Sequence, residues 1–326
     1  MRLGDLLSEC ACEEVVGLRG LGDNELRPVQ EGRFSGTDIS GIEYDSRSVR
    51  EDVLFVAIRG ENYDGHNFVG DAIRRGAACI VHEKRITDEW MPDGWTSGLR
   101  AQAPELFFIR VKETRDALAC ISNNFYQSPS CDIPVIGITG TNGKTTTTYI
   151  IKSIIEAGNS HVGLIGTIGN IIKEREYPAL HTTPEAPDLQ RLLRDMVSSG
   201  CGYVVAEISS HALSLKRVDY TEFRAAVFTN LTMDHLDFHK TMGSYYEAKK
   251  RLFSELLAEN GTAVINVDDE WGRRLLEEVS NDKRHATTTY GIYRDADVMA
   301  LDIESSFSGI AFNLRHGDRS YRVSSS

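Results

Sequence analysis

Val135-Ile-Gly-Ile-Thr-Gly-Thr-Asn-Gly-Lys-Thr-Thr-Thr-Thr148 is the stretch on which the reading of this chain turns. The apolar run Val135 to Ile138 predicts a buried strand. A glycine turn follows, then Lys144-Thr145 and a helix-like segment from Thr146 to Ala157. A strand, a glycine turn and a helix N-terminus form an anion site, because backbone N–H groups and the helix dipole face a phosphate. Lys144 adds a point charge, and Thr145 can offer its hydroxyl to Mg²⁺. Ile138 stands where the strict phosphate-loop pattern has glycine, so this is a variant, Gly140-x-x-Gly143-Lys144-Thr145.

Strand candidates recur after this loop at Tyr203 to Ala206, Ala225 to Phe228 and Ala263 to Asn266. Helical segments alternate with them at Ala186 to Val197, Ser244 to Leu257 and Trp271 to Val279. That alternation predicts a mostly parallel sheet with helices on both faces. The tail, Asp297 to Val323, reads as short β segments. Upstream, residues 1 to about 130 read as a separate α/β unit. Its strands are Ile42 to Asp45, Val53 to Ile58, Ala77 to Val81 and Leu106 to Val111. Its helices are Phe68 to Arg75 and Glu113 to Tyr126. The turn-rich Gln127-Ser-Pro-Ser-Cys-Asp-Ile-Pro134 separates the two. The expected division is 1–131 and 132–326, within an α/β class.

The bulk composition fits two globular domains. The chain has 326 residues, 41% apolar and 26% charged. A net charge of −12 argues against nucleic acid as a partner. No apolar run is long enough to span a membrane, and the N-terminus lacks a signal-peptide core, so the expected location is the cytoplasm. None of the six cysteines forms a C-x-x-C pair. All six are expected to be reduced.

Three clusters lie near strand ends, where open α/β sheets bind ligands. In Glu207-Ile-Ser-Ser-His211, the acid can hold Mg²⁺ or simply be a solvated loop residue. In Thr229-Asn-Leu-Thr-Met-Asp-His-Leu-Asp-Phe-His239, an imidazole can ligate a cation or serve a structural hydrogen bond. In His181-Thr-Thr-Pro-Glu-Ala186, Thr183 is expected to cap a helix that opens on Pro184. Lys249 and Lys250 read as a basic stripe on an amphipathic helix, and their spacing marks neither one.

Together these motifs resemble the Mur ligase family of peptidoglycan synthesis over nearly the whole chain. Residues 137–146 are shared with a wider superfamily that includes folylpolyglutamate synthetases. The clusters at 181–186, 207–213 and 230–239 are more selective. They resemble the branch that adds the third amino acid to a UDP-muramoyl dipeptide. So do Tyr44-Asp-Ser-Arg-Ser-Val49 and Phe55-Val-Ala-Ile-Arg-Gly-Glu-Asn-Tyr-Asp-Gly65.

The resemblance implies an ATP-dependent acid–amino-acid ligase acting through an acyl phosphate. ATP would bind at Gly140, Thr141, Asn142, Gly143, Lys144, Thr145 and Thr146. Two Mg²⁺ ions would be held by Thr145, Glu207 and His235, together with Lys249 as a CO₂-derived carbamate. Lys250 is the neighbour if the register shifts by one. Tyr44, Ser46, Glu61, Asn62 and Tyr63 would lie near the UDP part of the substrate. His181, Thr182, Thr183, Ser209 and Arg217 would contact the muramoyl dipeptide. The co-substrate would be meso-diaminopimelate or L-lysine, and the protein a monomer. Family members carry a third, C-terminal domain. The resemblance implies that this chain stops before it and has little or no ligase activity alone. A folylpolyglutamate-type ligase and a non-catalytic scaffold are the alternatives.

Overall fold

The computed structural model describes residues 1–18, 27–28, 34–60, 63–87, 90, 106–280, 282–307 and 309–325. Glu61 and Asn62 lie outside them. The chain divides into two compact units. The first is Met1–Ser128 with Ala186–Arg191 and Lys216–Tyr220; the second is the remainder.

The first unit is built on a six-stranded sheet. Its strands are β1 (Cys12–Leu18), β2 (Arg27–Pro28), β3 (Gly41–Glu43), β4 (Val53–Val56), β5 (Cys79–His82) and β6 (Leu106–Val111). Their order is β2-β1-β6-β5-β4-β3, with β3 to β6 parallel and β1 antiparallel to β6. Alternate residues feed two cores. Leu54, Val56, Phe107 and Ile109 pack on one face with Leu118 and Ile121 of the helix Thr114–Phe125. Phe55, Ile80 and Phe108 pack on the other with Val69 and Ile73 of the helix Val69–Arg74. Three short elements complete this set: α1 is Leu3–Leu6, α2 is Val69–Arg74 and α3 is Thr114–Phe125. Sequence reading missed β1, whose first half, Cys12-Glu-Glu, carries two charges.

A disulfide joins Cys10 to Cys120, with Cα atoms 5.9 Å apart. This corrects the expectation of six reduced cysteines. The partners are 110 residues apart, so local spacing carries no signal for the bond. Cys12, Cys79, Cys131 and Cys201 are free thiols.

The second unit carries an eleven-stranded sheet, β10-β9-β8-β11-β7-β12-β13-β14-β15-β16-β17. Its strands are β7 (Val135–Thr139), β8 (Val162–Ile165), β9 (Asn170–Ile172), β10 (Arg175–Tyr177), β11 (Tyr203–Glu207), β12 (Phe223–Phe228), β13 (Leu257–Asn266), β14 (Ala286–Gly291), β15 (Val298–Ser306), β16 (Gly309–His316) and β17 (Arg319–Ser325). The centre, β8 to β15, is parallel in space, and both flanks are antiparallel. Registers pair Glu207 with Ile138 and Phe228 with Thr139. The carboxyl ends of β11, β7 and β12 therefore lie side by side, as ligand sites of such sheets require.

The helices of this unit are α4 (Lys144–Ala157), α5 (Ala186–Ser198, shared with the first unit), α6 (Ser210–Ser214), α7 (Leu236–His239), α8 (Met242–Ser254) and α9 (Glu270–Val279). Some expected boundaries move. Helix α4 starts at Lys144, not Thr146. Leu257 belongs to β13, not to the helix before it. Among the described residues, no helix is long and apolar enough to cross a membrane.

Candidate functional site

The phosphate loop leaves β7 through two glycines with positive φ, 149° at Gly140 and 84° at Gly143. Other residues rarely adopt these angles. Gly140 is further constrained, since a Cβ there would sit 1.9 Å from Thr229 Oγ1. Gly143 is the N-cap of α4, and no side chain caps that helix. Its first-turn N–H groups are therefore open to an anion. Lys144 Nζ folds back to donate to the carbonyls of Gly140 and Thr141, each at 2.9 Å. Burial lowers the Lys144 pKa, while Glu207 and Asp234 act in the opposite direction.

Glu207 is the last residue of β11 and is 0% exposed. It is no solvated loop acid. Thr145 Oγ1 donates to its Oε2 at 2.8 Å, and Thr167 Oγ1 donates to the same oxygen at 3.1 Å. The Thr167 N–H donates to Oε1 at 3.0 Å. Among the described residues it forms no ion pair. Gly166 makes room for it, because a Cβ there would lie 2.4 Å from Oε1.

Lys249 overturns the basic-stripe reading. It is 1% exposed, and its Nζ donates to the Gly140 carbonyl at 2.8 Å. Lys250, one residue on, turns instead to Glu247 (2.7 Å) and Glu278 (3.0 Å). Burial, then the nearby Lys144 charge, pushes the Lys249 pKa well below the usual lysine range, against a pull from Asp234. Its Nζ lies 4.7 Å from the centre of the Tyr245 ring. Tyr245 also reaches Thr141 Oγ1 at 3.2 Å.

Two imidazoles also contact Tyr245. His239 stacks on it at 4.9 Å, and His235 meets it edge-on at 6.0 Å. His235 is exposed and has φ 51°. His211 lies 4.8 Å from the His235 ring. Buried His239 shares a 2.8 Å hydrogen bond with Ser210 Oγ. Burial, then the charges of His211, Lys249 and His235, pushes its pKa down to about 4.

The structure thus links Glu207, Thr145, Lys144, Gly140, Lys249, Tyr245 and His235 in one continuous set of contacts. Glu207 and Thr145 present oxygen donors suited to a hard cation. Among the described residues no three His, Cys, Asp or Glu side chains gather as a metal centre by themselves. Thr146 is exposed in the first turn of α4, and Asn142 is exposed at the loop tip.

The 181–186 cluster behaves differently from expectation. Glu185, not Thr183, is the N-cap of α5, and Pro187 sits in its first turn. Thr183 instead holds the end of β11, donating to the Glu207 carbonyl at 2.8 Å and accepting from the Ser209 N–H at 3.0 Å. Thr182 Oγ1 lies 3.0 Å from Thr167 Oγ1. Ser209 caps α6 through the Ala212 N–H, and His181 is exposed.

In the first unit, Tyr44 donates to Asp188 at 3.0 Å, and Ser46 is buried at the start of a short 3₁₀ turn capped by Asp45. Tyr63 is 75% exposed. Arg217, expected among the dipeptide contacts, belongs to this first unit. Sequence reading missed Thr167, Asn230 and Tyr245. A glycine before Thr167 was the one available signal for the first of these.

Comparison with known proteins identifies the family. Residues 138–326 match the Mur ligase middle domain, and residues 38–126 match a segment described as the Mur ligase family, catalytic domain. A UDP-N-acetylmuramoyl-L-alanyl-D-glutamate–2,6-diaminopimelate ligase of Caldanaerobacter subterraneus is 42% identical over 287 residues, covering 88% of this chain and 55% of that protein. One of the same name from Alkaliphilus metalliredigens is 42% identical over 314 residues, covering 96% of this chain and 57% of its own length. A solved structure of a ligase of that name superimposes with a TM-score of 0.74 at 26% identity, over 91% of this chain and 58% of the other. The chain therefore spans a little over half the length of these relatives. The middle-domain match covers more than half of the sequence, and the chain belongs to the Mur ligase family.

Proposed function

We propose that this chain supplies the nucleotide and UDP-substrate sites of an ATP-dependent amide ligase. The ligase joins a diamino acid to the D-glutamyl carboxylate of UDP-N-acetylmuramoyl-L-alanyl-D-glutamate. The names of the relatives favour 2,6-diaminopimelate over L-lysine. The observation that carries the reading is the meeting of Lys144 and Lys249 on one carbonyl, Gly140 O, beside the Thr145–Glu207 pair.

A carboxylate is a poor acyl donor, because its leaving group would be oxide. In the proposed reaction a glutamyl carboxylate oxygen attacks the γ-phosphorus of ATP. The bond to the β-phosphate oxygen breaks, and ADP leaves. The amine of the diamino acid then attacks the acyl carbon, and phosphate departs to leave the amide. The work of the protein is to hold two anions together. First-turn N–H groups of α4 and Lys144 receive the phosphates. Glu207 with Thr145 would hold one Mg²⁺, and His235 with Lys249 as a carbamate would hold a second. Such ions supply neutralising charge at the transferred phosphoryl group. Burial of the Lys249 amine favours its neutral form, the form that reacts with CO₂.

Tyr44, Ser46, Glu61, Asn62 and Tyr63 take the uridine diphosphate end. Thr182, Thr183, Ser209, His181 and Arg217 take the dipeptide end. The same reading places the chain in the cytoplasm as a monomer, with no nucleic-acid or membrane partner. Titration calorimetry tests it against a folylpolyglutamate-type ligase. The chain should bind UDP-N-acetylmuramoyl-L-alanyl-D-glutamate and Mg·ADP. Binding of a folate with neglect of the UDP-dipeptide would overturn the reading.

A further inference from the structure

Asn230 follows β12, and the reading above gives it no role. Its carbonyl and both side-chain polar atoms engage the phosphate loop. The Asn230 carbonyl accepts the Thr141 N–H at 2.9 Å. Its Oδ1 accepts the Asn142 N–H at 3.0 Å, and its Nδ2 donates to the Asn142 carbonyl at 3.1 Å. The side chain thus pairs with residue 142 as a neighbouring strand would. Thr229 adds a 2.7 Å bond to the same Asn142 carbonyl. The segment is held in turn from β13. Asn266 Nδ2 donates to the Thr229 carbonyl at 2.8 Å, and Asp269 accepts the Leu231 N–H at 3.2 Å. Two of the loop's N–H groups are therefore already spent, whereas no acceptor among the described residues takes those of Gly143 to Thr146.

We infer that Asn230 is the positioning residue of this variant phosphate loop: it splints Thr141 and Asn142, so that phosphate is received by Gly143, Lys144, Thr145 and Thr146 alone. The inference rests on the nucleotide-site reading, but its structural half can be tested without nucleotide.

The experiment is residue-resolved amide hydrogen exchange on the free chain, followed by Mg·ADP titration. Asn230→Ala removes the acceptor of Asn142 but keeps the main-chain acceptor of Thr141. Exchange at Asn142 should rise at least about tenfold, and at Thr141 much less. Asn230→Asp keeps an acceptor, so it should restore slow exchange at Asn142. Its charge beside the loop should still weaken Mg·ADP binding by about tenfold or more. Unchanged exchange in Asn230→Ala, or equally fast exchange in Asn230→Asp, would overturn the splint. Absence of ADP binding by the wild-type chain would sink the nucleotide reading and the phosphate half of the inference, while the exchange data still decide the splint.

Discussion

Buried charge is treated in opposite ways in the two units. In the first, the charged groups around His66 and Thr114 have partners. Asp64 accepts from buried His66 Nδ1 at 2.6 Å and from Lys84 at 2.6 Å. Glu83 caps α3, taking both the Thr114 N–H and its hydroxyl at 2.7 Å. In the second, Glu207 and Lys249 are the most deeply buried charges, and neither has an ion-pair partner among the described residues. Glu207 rests on neutral hydroxyls and an N–H, and Lys249 on one carbonyl. A charge buried without a partner costs stability. Such groups mark a site whose electrostatics a ligand completes, whereas satisfied networks hold the fold.

Mutants at these two places should separate the cases. The largest expected effect is at Asp64. Asp64→Ala strands the buried His66 nitrogen and should cost about 2 kcal/mol in denaturant unfolding. A loss under about 0.5 kcal/mol would show that the first-unit network is not structural. Lys249→Met should behave oppositely. It replaces an unpaired buried amine by an apolar chain of similar length, and stability should hold or rise by about 1 kcal/mol. A clear loss would mean that Lys249 is a structural residue and would erase the contrast.

Acid titration sharpens the comparison further. Burial pushes the His82 pKa down to about 4, against the hydrogen bond to the Lys84 carbonyl, with His66 and Arg110 adding to the depression. The unfolded imidazole titrates near about 6.5. Between those values the unfolded chain binds the extra proton, so stability falls as pH drops from about 6.5 to about 4. His82→Leu should flatten that slope. Asp64 acts lower down. Burial raises its pKa, but hydrogen bonds from Lys84 and His66 outweigh this and hold it below the usual carboxylate range. Its contribution is complete above about pH 4 and is lost as pH falls further. The smallest expected effect is on the stability of Glu207→Gln. The amide keeps an acceptor for Thr145, so unfolding should change by less than about 1 kcal/mol.

Much of the second unit was legible because its signals are local. The apolar run of β7, the two loop glycines and the clusters after β11 and β12 all stand within a few residues of the elements they mark. Other elements carried weak signals. Strand β8 is four residues with a glycine, Gly163, where a Cβ would lie 2.3 Å from Met196 Sδ. Strand β14, Ala286–Gly291, is rich in threonine and mostly half-buried, so it shows no apolar alternation. The burial of Lys249 was not legible from spacing, because a lysine inside the basic run Lys249-Lys250-Arg251 carries the same signal whichever way it turns. Only the packing of α8 against the loop separates its members. The Cys10–Cys120 bond and the Thr167 contact to Glu207 are set by tertiary structure, which no spacing reports.

The central claim is that the Gly140 carbonyl, Lys144, Lys249 and the Thr145–Glu207 pair together form a magnesium-nucleotide site. Calorimetric titration of ADP into the wild-type chain and Glu207→Gln, each with Mg²⁺ and with chelator, tests it most directly. The account predicts wild-type binding that weakens about tenfold or more on chelation, and a Glu207→Gln chain that no longer responds to Mg²⁺. ADP affinity that is the same in all four titrations, or no binding in any of them, would contradict it.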